Sequence, residues 1–312
     1  MTPIDNRPSE QYVSSAPSPQ TAVNIFKGAW SSRLPAPYAH VIAGDAPLFE
    51  DARIAWAAER LGGFAGKMVL ELGPLEGAHT YLLEKAGARE IVAIEANTSA
   101  YLRCLITKEL FQLEAARFLC GDFAAYLRHN PPRFDVAVAS GVLYHMRHPL
   151  ELIGLLARTT DRLFLWTHYY DQSLIAQNPA WANRFSGYGT AQYGGFACPV
   201  YRHNYHAALS WRGFRGGTAH YSHWMERNDI LDCLTHFGFD RLEIGFDTPD
   251  HPHGPSFAVA AVRTNEELRP TGISSAEPDE PDITFTPTMQ SRKAAVHARL
   301  MQLWVRVITY RR

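Results

Sequence analysis

This chain of 312 residues has few cysteines, almost no net charge and no long apolar runs. Each of these features argues against a class of protein. The four cysteines lie far apart without a C-x-x-C pair, which argues against a zinc knuckle or a disulfide framework and favours a cytoplasmic compartment. The 30 lysines and arginines are balanced by 31 aspartates and glutamates, so the chain lacks the positive charge that drives binding to nucleic-acid backbones. A large nucleic-acid partner is therefore disfavoured.

Membrane insertion and secretion are not predicted either. No stretch approaches the roughly 18 consecutive apolar residues that favour a membrane-spanning helix. The segment from Met1 to Gln20 lacks an apolar core between a basic start and a small-residue cleavage site, so it does not resemble a secretory signal. We expect residues 1–24 to form a disordered arm. A composition of 46% hydrophobic and 20% charged residues is typical of a globular protein, here one catalytic domain with additions.

The most informative stretch runs from Val69 to Gly77, where an apolar strand carries Glu71 near its end and then turns through Gly73 into a helix. Glycine at this first turn of an open α/β sheet lets the backbone approach a ligand. The spacing of Gly73 and Gly77 does not fit the dinucleotide pattern G-x-G-x-x-G. A buried carboxylate would repel a pyrophosphate but suits the cationic amino group and sulfonium of S-adenosylmethionine. The stretch therefore predicts a pocket for that ligand.

A second acidic residue, Glu95, closes the next apolar run. It lies about 20 residues further on, where an acid that binds ribose hydroxyls is expected in such sheets. NAD-binding proteins share that acid, so Glu95 alone does not distinguish the two ligands, and a plain surface acid at a strand end is the alternative.

Apolar runs alternate with helical patterns along the chain, which predicts an α/β fold with a doubly wound, mostly parallel sheet of seven strands. A helix over residues 49–62 leads into the first strand. The last two strands are joined by a short turn rich in proline and histidine and should pair antiparallel. The predicted strands are 68–72, 90–95, 117–120, 135–139, 162–167, 242–246 and 257–263, and the predicted helices between them are 78–86, 98–113, 122–129, 150–158 and 228–237.

The alternation stops over residues 169–223, which are rich in Gly, Tyr, Trp, His and Asn. Because this stretch is far longer than an ordinary βα loop, we expect an inserted lid that encloses a small aromatic or anionic substrate. A subdomain that packs its own aromatic residues into a minor core is the alternative. Histidine pairs such as His203 and His206 could meet at a metal only if the backbone brought them together, so no metal site is predicted.

The lid belongs to a catalytic domain that we place at residues 25–263. Residues 25–30 are expected to pack outside the sheet, with a cover over the pocket as the alternative. Residues 264–287 are acidic and rich in proline, which predicts a linker. Residues 288–312 predict a basic amphipathic helix that docks on its own domain, on a partner subunit of a homo-oligomer, or on an anionic membrane surface.

Four motifs in this order resemble those of the class I S-adenosylmethionine-dependent methyltransferases, and the resemblance covers residues 49–263. The first motif carries Leu75 where the family usually has its middle glycine. The run from Gly141 to His145 is also similar to the bacterial tRNA uridine carboxymethyltransferases and to related small-molecule methyltransferases. The motifs are residues 71–77 (ELGPLEG), 94–97 (IEAN), 120–123 (CGDF) and 135–145 (DVAVASGVLYH).

The resemblance implies a Rossmann-like methyltransferase fold, S-adenosylmethionine as cofactor and a set of residues around it. A side-chain carboxylate can accept the ribose hydroxyls or the adenine amino group, and an aromatic ring can cover the adenine. As an alternative, Asp122 caps the helix that follows it and Phe123 belongs to the core. The implied positions are Glu71, Gly73, Pro74 and Gly77 at the methionine end, Glu95, Ala96 and Asn97 at the ribose, Asp122 and Phe123 at the adenine, and Ser140, Gly141 and Val142 on the sulfonium side.

Methyl transfer from a sulfonium is an in-line displacement, so positioning of the acceptor supplies much of the rate. A hydroxyl acceptor must also lose a proton, and histidine suits that task because its pKa lies near neutral pH. The candidates are His145 after the fourth strand, with Tyr144 beside it, and His168 at the end of the fifth strand. A strand-end His or Tyr that only binds a loop is the alternative.

The sequence therefore predicts a cytoplasmic methyltransferase that moves a methyl group from S-adenosylmethionine to an oxygen or nitrogen of a small molecule. A tRNA-modifying methyl- or carboxymethyltransferase is one alternative, favoured by the run from Gly141 to His145 and by the basic C-terminal segment. A non-catalytic binding protein that kept the fold is the other, because Leu75 replaces a glycine of the first motif.

Overall fold

The computed structural model describes residues 12–129, 131–210 and 216–270. Two sheets and nine helices lie within these ranges. The strands are β1 (Met68–Leu72), β2 (Glu90–Glu95), β3 (Ala116–Cys120), β4 (Val136–Ser140), β5 (Arg162–His168), β6 (Phe185–Tyr193), β7 (Phe196–Asn204), β8 (Tyr221–Met225), β9 (Arg241–Thr248) and β10 (Ser256–Val262). The helices are α1 (Pro19–Asn24), α2 (Ala52–Leu61), α3 (Ala78–Lys85), α4 (Thr98–Phe111), α5 (Phe123–Arg128), α6 (Pro149–Thr159), α7 (Gln172–Gln177), α8 (Pro179–Ala182) and α9 (Arg227–His236).

A seven-stranded sheet with the order β3-β2-β1-β4-β5-β10-β9 forms the centre of the molecule. Strands β1 to β5 are parallel, whereas β10 runs antiparallel to both β5 and β9. The predicted fold class, a doubly wound and mostly parallel seven-stranded sheet, is therefore confirmed. Each predicted strand of this sheet agrees with the observed one to within two residues at either end.

The apolar character of the central strands follows from their burial on both faces. Residues 136–139 of β4 are completely buried, as are Leu163 and Phe164 of β5. One apolar cluster fills the face covered by α5, α6 and α9, and a second fills the face covered by α2, α3 and α4. Parallel strands covered by helices on both sides read as continuous hydrophobic runs, which is why periodicity found them in the sequence.

Residues 169–223 contain regular structure that the sequence pattern does not indicate. Helices α7 and α8 are followed by the antiparallel sheet β6-β7-β8, whose last strand continues to Met225. Tyr170, Ile175, Phe185 and Trp224 form a small apolar core of their own. Long strands rich in Gly, Tyr and His have low apolar periodicity, so the sequence indicates an inserted lid or small subdomain here but not its antiparallel sheet.

The N-terminal prediction is wrong for part of the arm. Residues 19–24 form α1, capped by the Ser18 side chain, which accepts a hydrogen bond from the Thr21 backbone N–H at 3.1 Å. Val23 is buried beside Trp30, whose indole donates to the Val23 carbonyl at 2.9 Å. The segment at residues 25–30 packs against α3 and α4 as predicted, outside the sheet.

The first residues of the predicted linker have a defined contact with the domain. Glu266–Leu268 form a 3-10 turn, and Arg269 binds the Asp161 carboxylate at 2.6 Å, so the chain stays anchored to the sheet. The remainder of the linker and the amphipathic helix at residues 288–312 lie outside the described residues. None of the helices described is both long and apolar enough to cross a bilayer.

Candidate active site

A cavity of about 770 Å³ opens at the carboxyl ends of β1, β2, β4 and β5, the edge at which open α/β sheets bind ligands. Loops from the subdomain and from the N-terminal region complete its wall. The predicted site residues that line it are Gly73, Pro74, Glu95, Ala96, Asn97, Asp122, Phe123, Ser140, Gly141, Val142, Tyr144, His145 and His168.

Two predicted site residues, Glu71 and Gly77, do not line the cavity. Glu71 is only 1% exposed and accepts a hydrogen bond from the Thr80 hydroxyl at 2.5 Å, so its side chain lies between β1 and α3. Its other oxygen, Oε1, accepts no hydrogen bond from any residue that the structure describes. Burial raises the pKa of Glu71 to about 7. Gly77 begins α3 in a left-handed conformation, with φ of 78°.

The turn after β1 requires glycine at its first position. Gly73 has φ of 62°, and a Cβ there would lie 2.7 Å from Cγ1 of Val142. Leu75 occupies the place of the expected middle glycine, and it also has a positive φ, 57°. The turn therefore keeps the conformation of a glycine-rich loop although a leucine stands in it.

Glu95 is held at the cavity wall by the backbone. Its Oε2 accepts the N–H of Leu75 at 3.1 Å, and its Oε1 accepts the N–H of Asn97 at 2.8 Å. Burial raises the pKa of Glu95, and the two backbone hydrogen bonds oppose that change because they stabilise the carboxylate. The alternative of a plain surface acid does not describe a side chain only 9% exposed.

Asp122 and Phe123 have the structural roles that the alternative predicts, and their role at the adenine stays a prediction. Asp122 caps α5, since its Oδ1 accepts the Ala125 N–H at 2.9 Å, and Phe123 packs against the apolar core. Both residues nevertheless line the cavity. A capping carboxylate keeps acceptor capacity for a ligand because each oxygen has more than one lone pair.

The three predicted catalytic side chains meet in one place. The Tyr144 ring lies 4.1 Å from the His145 ring and 4.6 Å from the His168 ring, measured between centroids. Burial raises the pKa of Tyr144 well above its ordinary value. Burial, with a smaller effect of His168, lowers the pKa of His145 to about 3, and burial lowers that of His168 to about 4. All three groups are therefore uncharged at neutral pH.

Hydrogen bonds orient the two imidazoles. Nδ1 of His168 lies 2.8 Å from the Gly254 carbonyl oxygen, and Nδ1 of His145 lies 2.9 Å from the Tyr205 hydroxyl. Tyr205 belongs to the segment between β7 and β8, so the subdomain contacts the cavity directly.

Several side chains of the wall were not indicated by the sequence. The Arg53 guanidinium lies 4.3 Å from the Trp166 ring centroid and binds Asp51 through Nε at 2.9 Å, while His79 binds the same carboxylate at 2.8 Å. Burial opposes ionisation of Asp51, but the bonds to His79 and Arg53 outweigh it and hold its pKa far below the ordinary range. The unpredicted residues include Arg53, His79, Trp166, His251 and His253.

A loop at residues 31–48, here called the N-terminal loop, supplies another unpredicted part of the wall through Ser32, Ala46 and Leu48. It is tied to the turn after β1 by Glu76, a fully buried carboxylate. Glu76 accepts the N–H of Ser31 at 2.7 Å and the N–H of Ser32 at 2.9 Å. Residues 25–30 thus pack outside the sheet, while the loop that follows them reaches the cavity.

Within the part of the chain that the structure describes, no three His, Cys, Asp or Glu side chains are placed to hold a metal ion. The cavity instead has a carboxylate and backbone turn at one end and uncharged aromatic and imidazole groups at the other. The strand order places the two ends on opposite sides of β1.

Comparison with known proteins identifies the fold. No family model matches the sequence, and no curated protein matches it. Among solved structures, the chain is similar to the N-terminal domain of EvdMO1 bound to SAH (S-adenosylhomocysteine), with a TM-score of 0.60 and 21% identity over 79% of this chain and 95% of that one. The same domain in the presence of SAH and D-fucose gives a TM-score of 0.59 and 20% identity with equal coverage.

A longer EvdMO1 chain gives a TM-score of 0.51 and 19% identity, covering 78% of this chain and 46% of that one. Together with the strand order, these similarities show that the chain has the Rossmann-like fold of the class I S-adenosylmethionine-dependent methyltransferases. The subfamily resemblance to tRNA uridine carboxymethyltransferases gains no support from the comparisons.

Proposed function

We propose that the protein is a methyltransferase that uses S-adenosylmethionine and methylates an oxygen or nitrogen of a small molecule held in the 770 Å³ cavity. The observation that carries the proposal is the position of Glu95 within a fold similar to that of an SAH-bound domain. Its carboxylate is fixed by the backbone of two loops, Leu75 and Asn97, at the wall of a cavity that continues to Tyr144, His145 and His168.

The residues present fit the nucleoside part of this donor. Glu95 accepts ribose hydroxyls, because a carboxylate has lone pairs beyond the two used by the backbone. Asp122 accepts the adenine amino group, and Phe123 covers the ring. Both residues line the cavity beside Glu95.

The methionine part fits the turn after β1. Gly73 leaves room where a Cβ would touch Val142. Glu71 lies behind the wall, and one of its oxygens lacks a hydrogen-bond partner among the described residues. With a pKa of about 7 it is partly ionised at neutral pH, and a bound cationic donor would favour the ionised form. When bound, S-adenosylmethionine supplies an electrophilic methyl carbon on a positively charged sulfur.

The acceptor end binds and orients the second substrate. Tyr144, Trp166 and the imidazoles provide flat apolar surface together with a few hydrogen-bonding atoms, as in many small-molecule sites. Residues 216–219 of the subdomain also line the cavity. The N-terminal domain of EvdMO1 was crystallised in the presence of D-fucose, a small hydroxyl compound, which supports an acceptor of similar size.

The cytoplasmic location remains a prediction. All four cysteines, Cys104, Cys120, Cys198 and Cys233, are free thiols, as expected in a reducing compartment.

Methyl transfer itself tests the proposal. The purified protein is incubated with S-adenosylmethionine labelled in the methyl group and, in separate reactions, with a small-molecule cell extract and with bulk tRNA. We expect label in low-mass compounds and none in RNA. Label in tRNA would establish the RNA-modifying alternative. Binding of S-adenosylhomocysteine without transfer to either pool would favour a non-catalytic binding protein.

A further inference from the structure

Six ring side chains line the acceptor end of the cavity. Centroid distances of 5.1 Å between Trp166 and His168 and 4.9 Å between His168 and His251 make this a continuous wall. Its ring side chains are Tyr144, His145, Trp166, His168, His251 and His253.

The tautomer of neutral His168 is fixed by the Gly254 carbonyl. A carbonyl oxygen can only accept a hydrogen bond, so the 2.8 Å contact with Gly254 places the proton on Nδ1. Nε2 then carries a lone pair. The ring is held in place by Trp224, which stacks on it at 5.4 Å with an interplanar angle of 9°. Neutral His168 therefore has an unprotonated Nε2 and lines the cavity.

Gly254 positions this carbonyl. Its φ of 118° is a conformation that residues with side chains rarely adopt, and a Cβ there would lie 3.0 Å from the Trp224 ring. His145 lacks a comparable constraint, since the Tyr205 hydroxyl can either donate or accept. Tyr144 stays protonated because burial raises its pKa. Among the three candidates, His168 alone has a tautomer set by an obligate acceptor.

The charges around the cavity do not favour an anionic acceptor. Arg53 is bound to Asp51, and Arg128 is bound to Glu151 through two hydrogen bonds of 2.6 Å and 2.8 Å. Arg147, a third arginine of the wall, also has an interaction partner. Burial lowers the pKa of His251 as well as those of His145 and His168, so these imidazoles do not supply positive charge at neutral pH.

Resting on the methyl transfer proposed above, we infer that the acceptor is a neutral hydroxyl compound and that Nε2 of His168 takes its proton. The acceptor oxygen forms a bond to the methyl carbon as the carbon–sulfur bond breaks, and that bonding pair stays on sulfur. The hydroxyl proton moves to Nε2. The cavity carries one positive charge before the step, on sulfur, and one after it, on the imidazolium, which later releases the proton to water.

The first test measures the tautomer directly, without an acceptor. Nitrogen NMR of labelled protein with bound S-adenosylhomocysteine should show His168 protonated on Nδ1 and unprotonated on Nε2 from about pH 8 down to about pH 5, below the ordinary histidine pKa. A proton on Nε2 within that range, or titration near the ordinary value, would overturn the assignment to His168.

The second test uses a conservative variant and a matched control. His168→Asn keeps an N–H that can reach the Gly254 carbonyl but has no Nε2 lone pair. His236→Asn is the control, because His236 also binds a glycine carbonyl, that of Gly194 at 2.9 Å, but lies away from the cavity. We expect His168→Asn to lower turnover by about 100-fold or more with the dissociation constant of S-adenosylhomocysteine unchanged, and His236→Asn to change neither.

Pairs of acceptors in which one member carries an added carboxylate complete the test. The probes are D-galactose against D-galacturonate, and catechol against protocatechuate, with labelled methyl transfer as the readout. Methylation of a neutral member that exceeds methylation of its acid is expected. Equal or better transfer to an acid, or no transfer to any probe by protein that binds S-adenosylhomocysteine, would contradict the neutral hydroxyl class. Failure to bind S-adenosylhomocysteine at all would instead contradict the proposed function.

Discussion

The backbone N–H of Leu75 donates to Oε2 of Glu95 across 3.1 Å, and this contact joins the turn after β1 to the end of β2. Leu75 has a φ of 57°, a left-handed conformation that usually requires glycine. The leucine thus performs the backbone role expected of the family's middle glycine, and its side chain does not destroy the turn.

Substitution of Leu75 tests that role. Leu75→Gly should leave the dissociation constant of S-adenosylhomocysteine within about threefold of the original, since glycine adopts the same backbone conformation and keeps the N–H. Leu75→Pro removes the N–H and forces a negative φ, so it should weaken binding by about 10-fold or more. Calorimetric titration measures both. If the proline variant bound S-adenosylhomocysteine as tightly as the original protein, the turn would not be part of the binding site.

Removal of the Glu95 carboxylate should weaken binding of S-adenosylmethionine by about 10- to 100-fold, since hydrogen bonds to a charged group contribute about 1.5–3 kcal/mol. Glu95→Ala is compared with Glu90→Ala, which changes the opposite end of the same strand. Calorimetry at one temperature gives both constants. An unchanged constant for Glu95→Ala would remove this residue from the site.

The central sheet and the order of its motifs were predictable from the sequence because they depend on local patterns. Strands buried on both faces read as apolar runs, and Asn97 and Asp122 cap the helices that follow them. Gly73 and Glu95 were predicted to lie at the site for the same reason, because each follows a local strand pattern. The sequence pattern wrongly placed Glu71 at the ligand surface, because hydrophobic periodicity alone does not tell which face of β1 packs against α3.

The rest of the wall could not be predicted because it comes from contacts between distant residues. Glu76 and Ser31 are 45 positions apart, and His168 and Gly254 are 86 apart. Arg53 reaches the site only because α2 packs under β5. The subdomain strands alternate without a strong apolar face, so composition indicated a lid but not its antiparallel sheet.

Stability should depend on the ionisation of Glu71. Burial raises its pKa from 4.5 to about 7, so its contribution to the free energy of unfolding is fully present below about pH 4.5 and is lost as the pH rises through about 7. Glu71→Gln cannot ionise. Above pH 7 it should therefore be more stable than the original protein by up to the order of 3 kcal/mol, with no such gain near pH 4.5.

Chemical unfolding at several pH values, without cofactor, measures this difference. Parallel pH profiles for the two proteins would show that Glu71 does not change its protonation in the folded state. The Thr80 hydroxyl can donate to the carboxyl group of Glu71 or to the amide oxygen of the variant, so the hydrogen bond of 2.5 Å in the original protein is retained in Glu71→Gln.

Release of the N-terminal loop should weaken the cofactor site. In Glu76→Gln, one amide oxygen replaces the two carboxylate oxygens that accept the N–H groups of Ser31 and Ser32. One buried N–H is then left without an acceptor. We expect faster proteolysis within residues 31–48 and about 10-fold weaker binding of S-adenosylhomocysteine. Glu50→Gln is the control, because Glu50 forms an exposed ion pair with Arg33 outside the cavity. Equal proteolysis of both variants would contradict the role of Glu76.

The central claim is that Glu95 and the turn at Gly73 bind a sulfonium donor instead of a dinucleotide with its pyrophosphate. Side-by-side calorimetric titration with S-adenosylmethionine and NAD measures it most directly. The account predicts saturable binding of S-adenosylmethionine that weakens in Glu95→Ala, and no heat of binding with NAD. Saturable binding of NAD, or none of S-adenosylmethionine at millimolar concentration, would contradict it.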